Sequence, residues 1–143
     1  MDETRRLAAE YKRSTGNTLP VSAELAKFDA IRLLGMCTPD ESERAVDALW
    51  NTEKGVERVQ IKGRVIFDPK KSGQRVGQLN LDANWDRVLL VVMNEDYQCT
   101  GIYGLARVTL QAVLSDVRDS KNNARGALSV KKFIAIADQL WHV

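Results

Sequence analysis

The amino-acid sequence predicts an α/β (α+β) protein, a mixed β-sheet flanked by helices, folded as one domain over residues 1–143. Three observations predict it. Helix-like segments open and close the chain with strand-like segments between them, an order that places helices against a sheet. Val56 to Phe67 alternates apolar and polar residues at a period of two. Val88 to Met93 is an unbroken apolar run rich in β-branched residues, suited to a central strand and far too short for a membrane span.

Glu3 to Lys12 is the first expected helix, with Leu7, Ala8 and Tyr11 on one face; Ser14-Thr15-Gly16-Asn17 stops it. Val21 to Leu34 is a stronger one, ended by Gly35. At about 100° per residue, Glu24 falls between Phe28 and Ile31, an acid on an apolar stripe. Met36 to Glu43 reads as a polar connector. Ala45 to Trp50 is a short strand, residues 51–55 a turn, and Val56 to Phe67 the strand that follows. One face of that strand carries Val59, Ile61, Val65 and Phe67; the other carries Arg58, Gln60, Lys62 and Arg64. Asp68 to Trp85 is an irregular polar loop. Arg87 to Met93 and Gln98 to Leu105, joined by Asn94-Glu95-Asp96, should pair antiparallel. Two helices, about Val108 to Arg118 and Ser129 to Trp141, close the chain, with Ser129 as N-cap of the last.

Composition narrows the chemistry. With 44% hydrophobic and 28% charged residues the chain is globular in character. It opens Met1-Asp2-Glu3, acids where a secretory signal would carry bare positive charge, so a cytoplasmic protein without membrane attachment is expected. Two cysteines, Cys37 and Cys99, cannot form a disulfide framework or a four-cysteine zinc site. His142 is the single histidine, which removes His-based triads and two-His metal motifs. Neither a phosphate-cradling Gly-Lys-Ser/Thr loop nor a dinucleotide glycine fingerprint is present, so no organic cofactor is expected. A metal would have to be held by carboxylate and carbonyl oxygens, which suits Mg²⁺ or Mn²⁺.

The net charge of +2 hides an uneven distribution. Residues 1–53 hold seven basic and ten acidic side chains; residues 54–75 hold seven basic against Glu57 and Asp68 alone; the remainder is balanced. A local basic belt on a nearly neutral chain is what a polyanion-binding surface requires. Arg58, Arg64, Lys70, Lys71 and Arg75 are its candidate nucleic-acid contacts. On charge alone the simpler reading of the same belt is a solvated strand and loop with many lysines.

One constellation carries chemistry. Asp47 lies in a short apolar strand, where a carboxylate needs a partner or a metal. Gln60 and Lys62, two residues apart, share a face of the next strand, and a tight turn should bring them near Asp47. Glu24, on the preceding helix, should pack over that sheet. Taken singly, each has a plain structural explanation: a polar strand residue, the wet face of an amphipathic strand, a surface helix acid.

Together they resemble the PD-(D/E)XK nuclease superfamily, the restriction-endonuclease-like fold: an acid in one strand, Glu/Gln-x-Lys in the next, and a preceding helix with a Glu. Thr15-Gly16, Leu19-Pro20, Glu24, Leu33-Leu34-Gly35, Asp47-Ala48 and Gln60-Ile61-Lys62-Gly63-Arg64 are similar to a bacterial branch of it, over roughly Thr15 to Val92 and more weakly the closing Gly126 to Trp141 helix. Val46 stands where the superfamily has its proline, and Gln60 replaces the middle acid, as in Mrr-like restriction enzymes. The resemblance implies a restriction-endonuclease-like mixed sheet and a Mg²⁺- or Mn²⁺-dependent endonuclease acting on DNA in restriction, repair or mobile-element defence, either alone or as a homodimer. It implies Asp47, Gln60 and Glu24 as metal ligands, with Lys62 orienting the attacking water or neutralising transition-state charge. The competing expectation keeps the fold and drops catalysis: a degenerate domain that binds nucleic acid or a protein partner. A helix-turn-helix built on Val21 to Leu34 is weaker, because strands follow it.

Overall fold

Two helices open the chain, and each ends on a glycine in the left-handed region. In the computed structural model, which describes residues 1–41, 46–70, 73–77, 79, 81, 83–117 (115–117 by backbone alone) and 128–143, these are α1 (Asp2–Thr15) and α2 (Ser22–Leu34). Gly16 at φ 77° and Gly35 at φ 67° turn the backbone back, so that their N–H groups close onto the carbonyls of Lys12 and Ile31. Four strands follow in β1 (Ala48–Thr52), β2 (Gly55–Val65), β3 (Arg87–Met93) and β4 (Cys99–Ala106), then α3 (Arg107–Val117), α4 (Val130–Ile136) and β5 (Asp138–His142).

The five strands form one mixed sheet in sequence order, β1-β2-β3-β4-β5. Only β2 and β3 run parallel; β1/β2, β3/β4 and β4/β5 are antiparallel. The expected fold class is therefore the observed one. A two-residue turn, Glu53-Lys54, joins β1 to β2, with Thr52 opposite Gly55.

The period-two pattern of β2 and β3 decides the layers. Val59, Ile61, Val65, Leu89, Val91 and Met93 face α1 and α2, meeting Ala8, Ala9, Leu25, Ala26 and Ala30. Val88 and Leu90 face the other way, with Leu110 and Leu114 of α3, Phe133 of α4, and Val76 and Trp85 of the chain between β2 and β3. Gly63 lets α2 approach β2 closely. A Cβ there would stand 2.6 Å from the Ala26 Cβ and 2.9 Å from the Ser22 carbonyl oxygen, so only glycine fits.

Three expectations are corrected. The buried side of α2 is Leu25, Ala26, Asp29 and Ala30, not the stripe of Glu24, Phe28 and Ile31; Phe28 is 40% exposed. Asp29 turns inward because Arg5 of α1 meets it with two N–H groups, Nη1 to Oδ2 at 2.9 Å and Nη2 to Oδ1, while Nη1 also donates to the Tyr97 carbonyl at 2.6 Å. The final helix stops at Ile136, and residues 138–142 pair with β4 instead. Leaving the helix lets Leu140 and Trp141 pack on the α1/α2 core and covers a strand edge that would otherwise lie open. The strand expected from Val56 to Phe67 ends at Val65, and Phe67 turns aside to stand edge-on to Tyr97 at 5.9 Å. The Ser129 N-cap is observed: its Oγ accepts the Lys132 N–H at 3.1 Å.

Candidate functional site

Asp47 stands one residue before β1, where the ladder with β2 begins. Its own N–H donates to the Val59 carbonyl at 2.8 Å, and its Oδ2 accepts the Ile61 N–H at 2.7 Å. The carboxylate thus takes the place of a backbone carbonyl and carries the ladder one step further along β2. That contact falls at the centre of Gln60-Ile61-Lys62, so Asp47 does reach the strand that the motif occupies. Its other oxygen faces α2, with Oδ1 3.6 Å from the Lys27 Nζ.

Lys27 also lies 3.5 Å from the Glu24 Oε1 one turn earlier. Glu24 and Asp47 are therefore brought together around one ammonium group. Lys27 is the residue that the sequence reading missed. Its three-residue spacing from Glu24 was the available signal, since such helical neighbours meet.

Gln60 and Lys62 are placed differently. Alternation from Val59 and Ile61 puts both on the face opposite α2, above Val88 and Leu90 in register. Gln60 is buried and Lys62 half-buried. Among the described residues Lys62 has no carboxylate within ion-pair distance. Glu24 and Asp47 share the α2 side of the strand edge, and Gln60 and Lys62 leave by the other.

A hard divalent ion needs several oxygen donors converging on one point. Here two carboxylates converge on a place that Lys27 fills, and Gln60 lies across the strand. Among the described residues no group of three or more His, Cys, Asp or Glu side chains could hold a metal ion. As arranged, this donor set does not fit Mg²⁺ or Mn²⁺.

The basic belt divides in the same way. Lys70 and Arg75 are exposed, while Arg58 is half-buried with its backbone N–H on the Asp86 Oδ2 at 2.8 Å. Arg64 is a tether: its Nε donates to the Arg75 carbonyl at 2.7 Å, its Nη2 to the Val76 carbonyl at 2.8 Å and its Nη1 to the Gly63 carbonyl at 2.5 Å. Burial lowers the pKa of its guanidinium, which stays charged all the same. Lys71 lies outside the described residues. Arg64 and Arg75 nonetheless meet at one cavity beside the head of α2.

No protein-family model matches the chain, and no curated protein is significantly similar to it. Among the described residues, no helix is long and apolar enough to cross a membrane.

Proposed function

We propose that this chain is a nuclease-like α/β domain that binds nucleic acid without cutting it. The observation that supports this reading most is Lys27. An ammonium between Glu24 and Asp47 occupies the place that a catalytic metal would otherwise claim and cancels one of the pair's two negative charges. That lessens their repulsion against a phosphate backbone, while Lys54, Lys70 and Arg75 remain exposed on the basic segment. Fluorescence anisotropy with duplex DNA across a salt series tests it. Binding that weakens steeply with salt, together with intact supercoiled DNA in Mg²⁺ or Mn²⁺, is the expected result; cleavage that EDTA abolishes overturns it.

A second reading, the metal-dependent endonuclease, is favoured by one contact: the Asp47 carboxylate on the Ile61 N–H, inside Gln60-Ile61-Lys62. In that reading Glu24 and Asp47 would have to release Lys27 before they could hold a divalent ion, whose chemistry would be a bound water of lowered pKa. The same cleavage assay separates the two readings.

A further inference from the structure

A cavity of about 320 Å³ opens between the segment entering α2, the end of β2 and the chain at residues 74–75. Among the described residues none that line it is acidic, and two are Arg64 and Arg75. Thr18 and Ser22 add hydroxyls, Gln74 adds an amide, and the Phe67 ring forms part of an apolar wall.

Arg64 makes this cavity chemically specific. Three of its five N–H bonds go to backbone carbonyls, which carry only partial charge. Among the described residues no carboxylate lies within ion-pair distance of it, so none of them supplies a counter-anion to this half-buried positive charge. One N–H on each terminal nitrogen is left over, and a guanidinium of this kind suits phosphate oxygens. Arg75 adds a second charge at the same cavity. A phosphate monoester is close to a dianion at neutral pH, so it can meet the Arg64 guanidinium and still be drawn by the positive charge of Arg75 at the rim, whereas a mid-strand diester carries one charge. The volume, near the lower end of the range of about 300–1,000 Å³ for small-molecule sites, suits a single nucleotide unit whose base lies along an apolar wall.

We propose that this cavity binds a phosphate monoester, carried either by a free nucleotide or by the phosphorylated end of a strand. The proposal leans on the nucleic-acid reading only for the second of these sources. The head of α2 adds a favourable dipole but is not the basis of the assignment.

The test is a two-dimensional amide NMR titration of the full chain with inorganic phosphate, a deoxynucleoside, its 5′-monophosphate, and short oligonucleotides with 5′-phosphate or 5′-hydroxyl ends. Saturable shifts at Thr18, Ser22, Gly63 and Gln74 with the monophosphate, and none with the nucleoside, are the expected result. A 5′-phosphorylated strand that binds tighter than its hydroxyl twin identifies the strand end as the source; equal strands with a binding mononucleotide identify the free nucleotide. Arg75→Gln and Ser22→Glu should each weaken phosphate binding by about tenfold or more, the loss of one charge-assisted contact or the gain of one repulsive charge. Ser22→Glu places an acid in the first turn of a helix, where the helix dipole favours it, and a thermal melt of the same sample shows whether the fold is kept. Equal affinity for nucleoside and monophosphate, shifts confined to other surfaces, or full binding by both variants overturns the proposal. Duplex DNA binding without phosphate binding sinks the cavity alone; phosphate binding without DNA binding sinks the nucleic-acid reading alone.

Discussion

Asp47 holds Ile61 through its side chain, Oδ2 accepting the Ile61 N–H at 2.7 Å, where a backbone carbonyl would stand if β1 began two residues earlier. The contact gives Asp47 a structural duty that is independent of any metal. Asp47→Ala removes the acceptor for a strand N–H and one of the two carboxylates on Lys27, at a cost of about 1–3 kcal/mol. Asp47→Asn keeps an acceptor oxygen and should cost clearly less. Urea unfolding of both variants measures the difference. Equal loss would mean that charge on Lys27, not the Ile61 bond, is what Asp47 supplies.

How far the sequence reveals this fold depends on whether a pattern is local. β2 and β3 are legible because alternation and β-branched runs report which faces are buried, and the hairpin from Thr52 to Gly55 follows from its turn residues. β5 is not legible. Its strand state is decided by β4, whose edge it pairs with, and Leu140 and Trp141 suit a helix as well as a strand until that partner is known. The site was half legible. Asp47 reaches Gln60-Ile61-Lys62 through the backbone, as the hairpin implies, but spacing alone cannot say that the Asp47 carboxylate turns to Lys27 while Gln60 and Lys62 leave by the other face. Gly63, read as part of a motif, has a packing reason for being glycine.

Arg5 and Asp29 form a buried ion pair between α1 and α2, each below 5% exposed. Removing Asp29 takes the carboxylate from a buried guanidinium, and removing Arg5 leaves the buried Asp29, among the described residues, with only the Arg32 Nη2 at 3.5 Å. Arg5→Met or Asp29→Leu alone should therefore destabilise by about 3–5 kcal/mol. The double variant should recover much of that loss, because two apolar side chains need no solvation. Denaturant unfolding of the three variants as a cycle reads the coupling directly; additive losses would show that the two charges act separately.

Gly63→Ala tests the contact between α2 and β2. The added methyl would stand 2.6 Å from the Ala26 Cβ, so the helix must lift from the sheet, at about 1–3 kcal/mol. Ala26→Gly in the same chain should restore part of the stability by removing the opposing carbon. Thermal melts of the single and double variants decide it, and a single variant as stable as the parent would place α2 farther from β2 than described.

Cys37 is exposed and Cys99 is buried, so a thiol reagent should label one site in the native protein and both in denaturant. Burial, with the nearby Asp29 charge next in effect, pushes the Cys99 thiol up to about 11 from an ordinary value of 9.0. The sign follows from proton counting: between those values the unfolded chain releases the Cys99 proton first, so stability falls as pH rises through that window. Below it, Cys99 contributes no slope. A Cys99→Ala variant whose stability declines between pH 9 and 11 as steeply as the parent's would assign that decline to other groups.

The belt residues should separate by their anchoring. Lys70 and Arg75 are exposed, so Lys70→Gln with Arg75→Gln should lower the slope of log affinity for duplex DNA against log salt by up to about 2, near 0.9 for each lost phosphate contact. Tm should change little, because neither side chain is buried. Arg64→Gln should behave in the opposite manner. Its guanidinium ties the Arg75 and Val76 carbonyls to β2, and its loss releases three acceptors, so stability should drop by roughly 1–3 kcal/mol. Its own effect on the salt slope should be smaller than that of the exposed pair, since a half-buried cation reaches fewer phosphates. Anisotropy titrations at four or more salt concentrations, run beside melts of the same samples, measure both quantities. A salt slope unchanged by Lys70→Gln with Arg75→Gln would remove the exposed part of the belt from the binding surface.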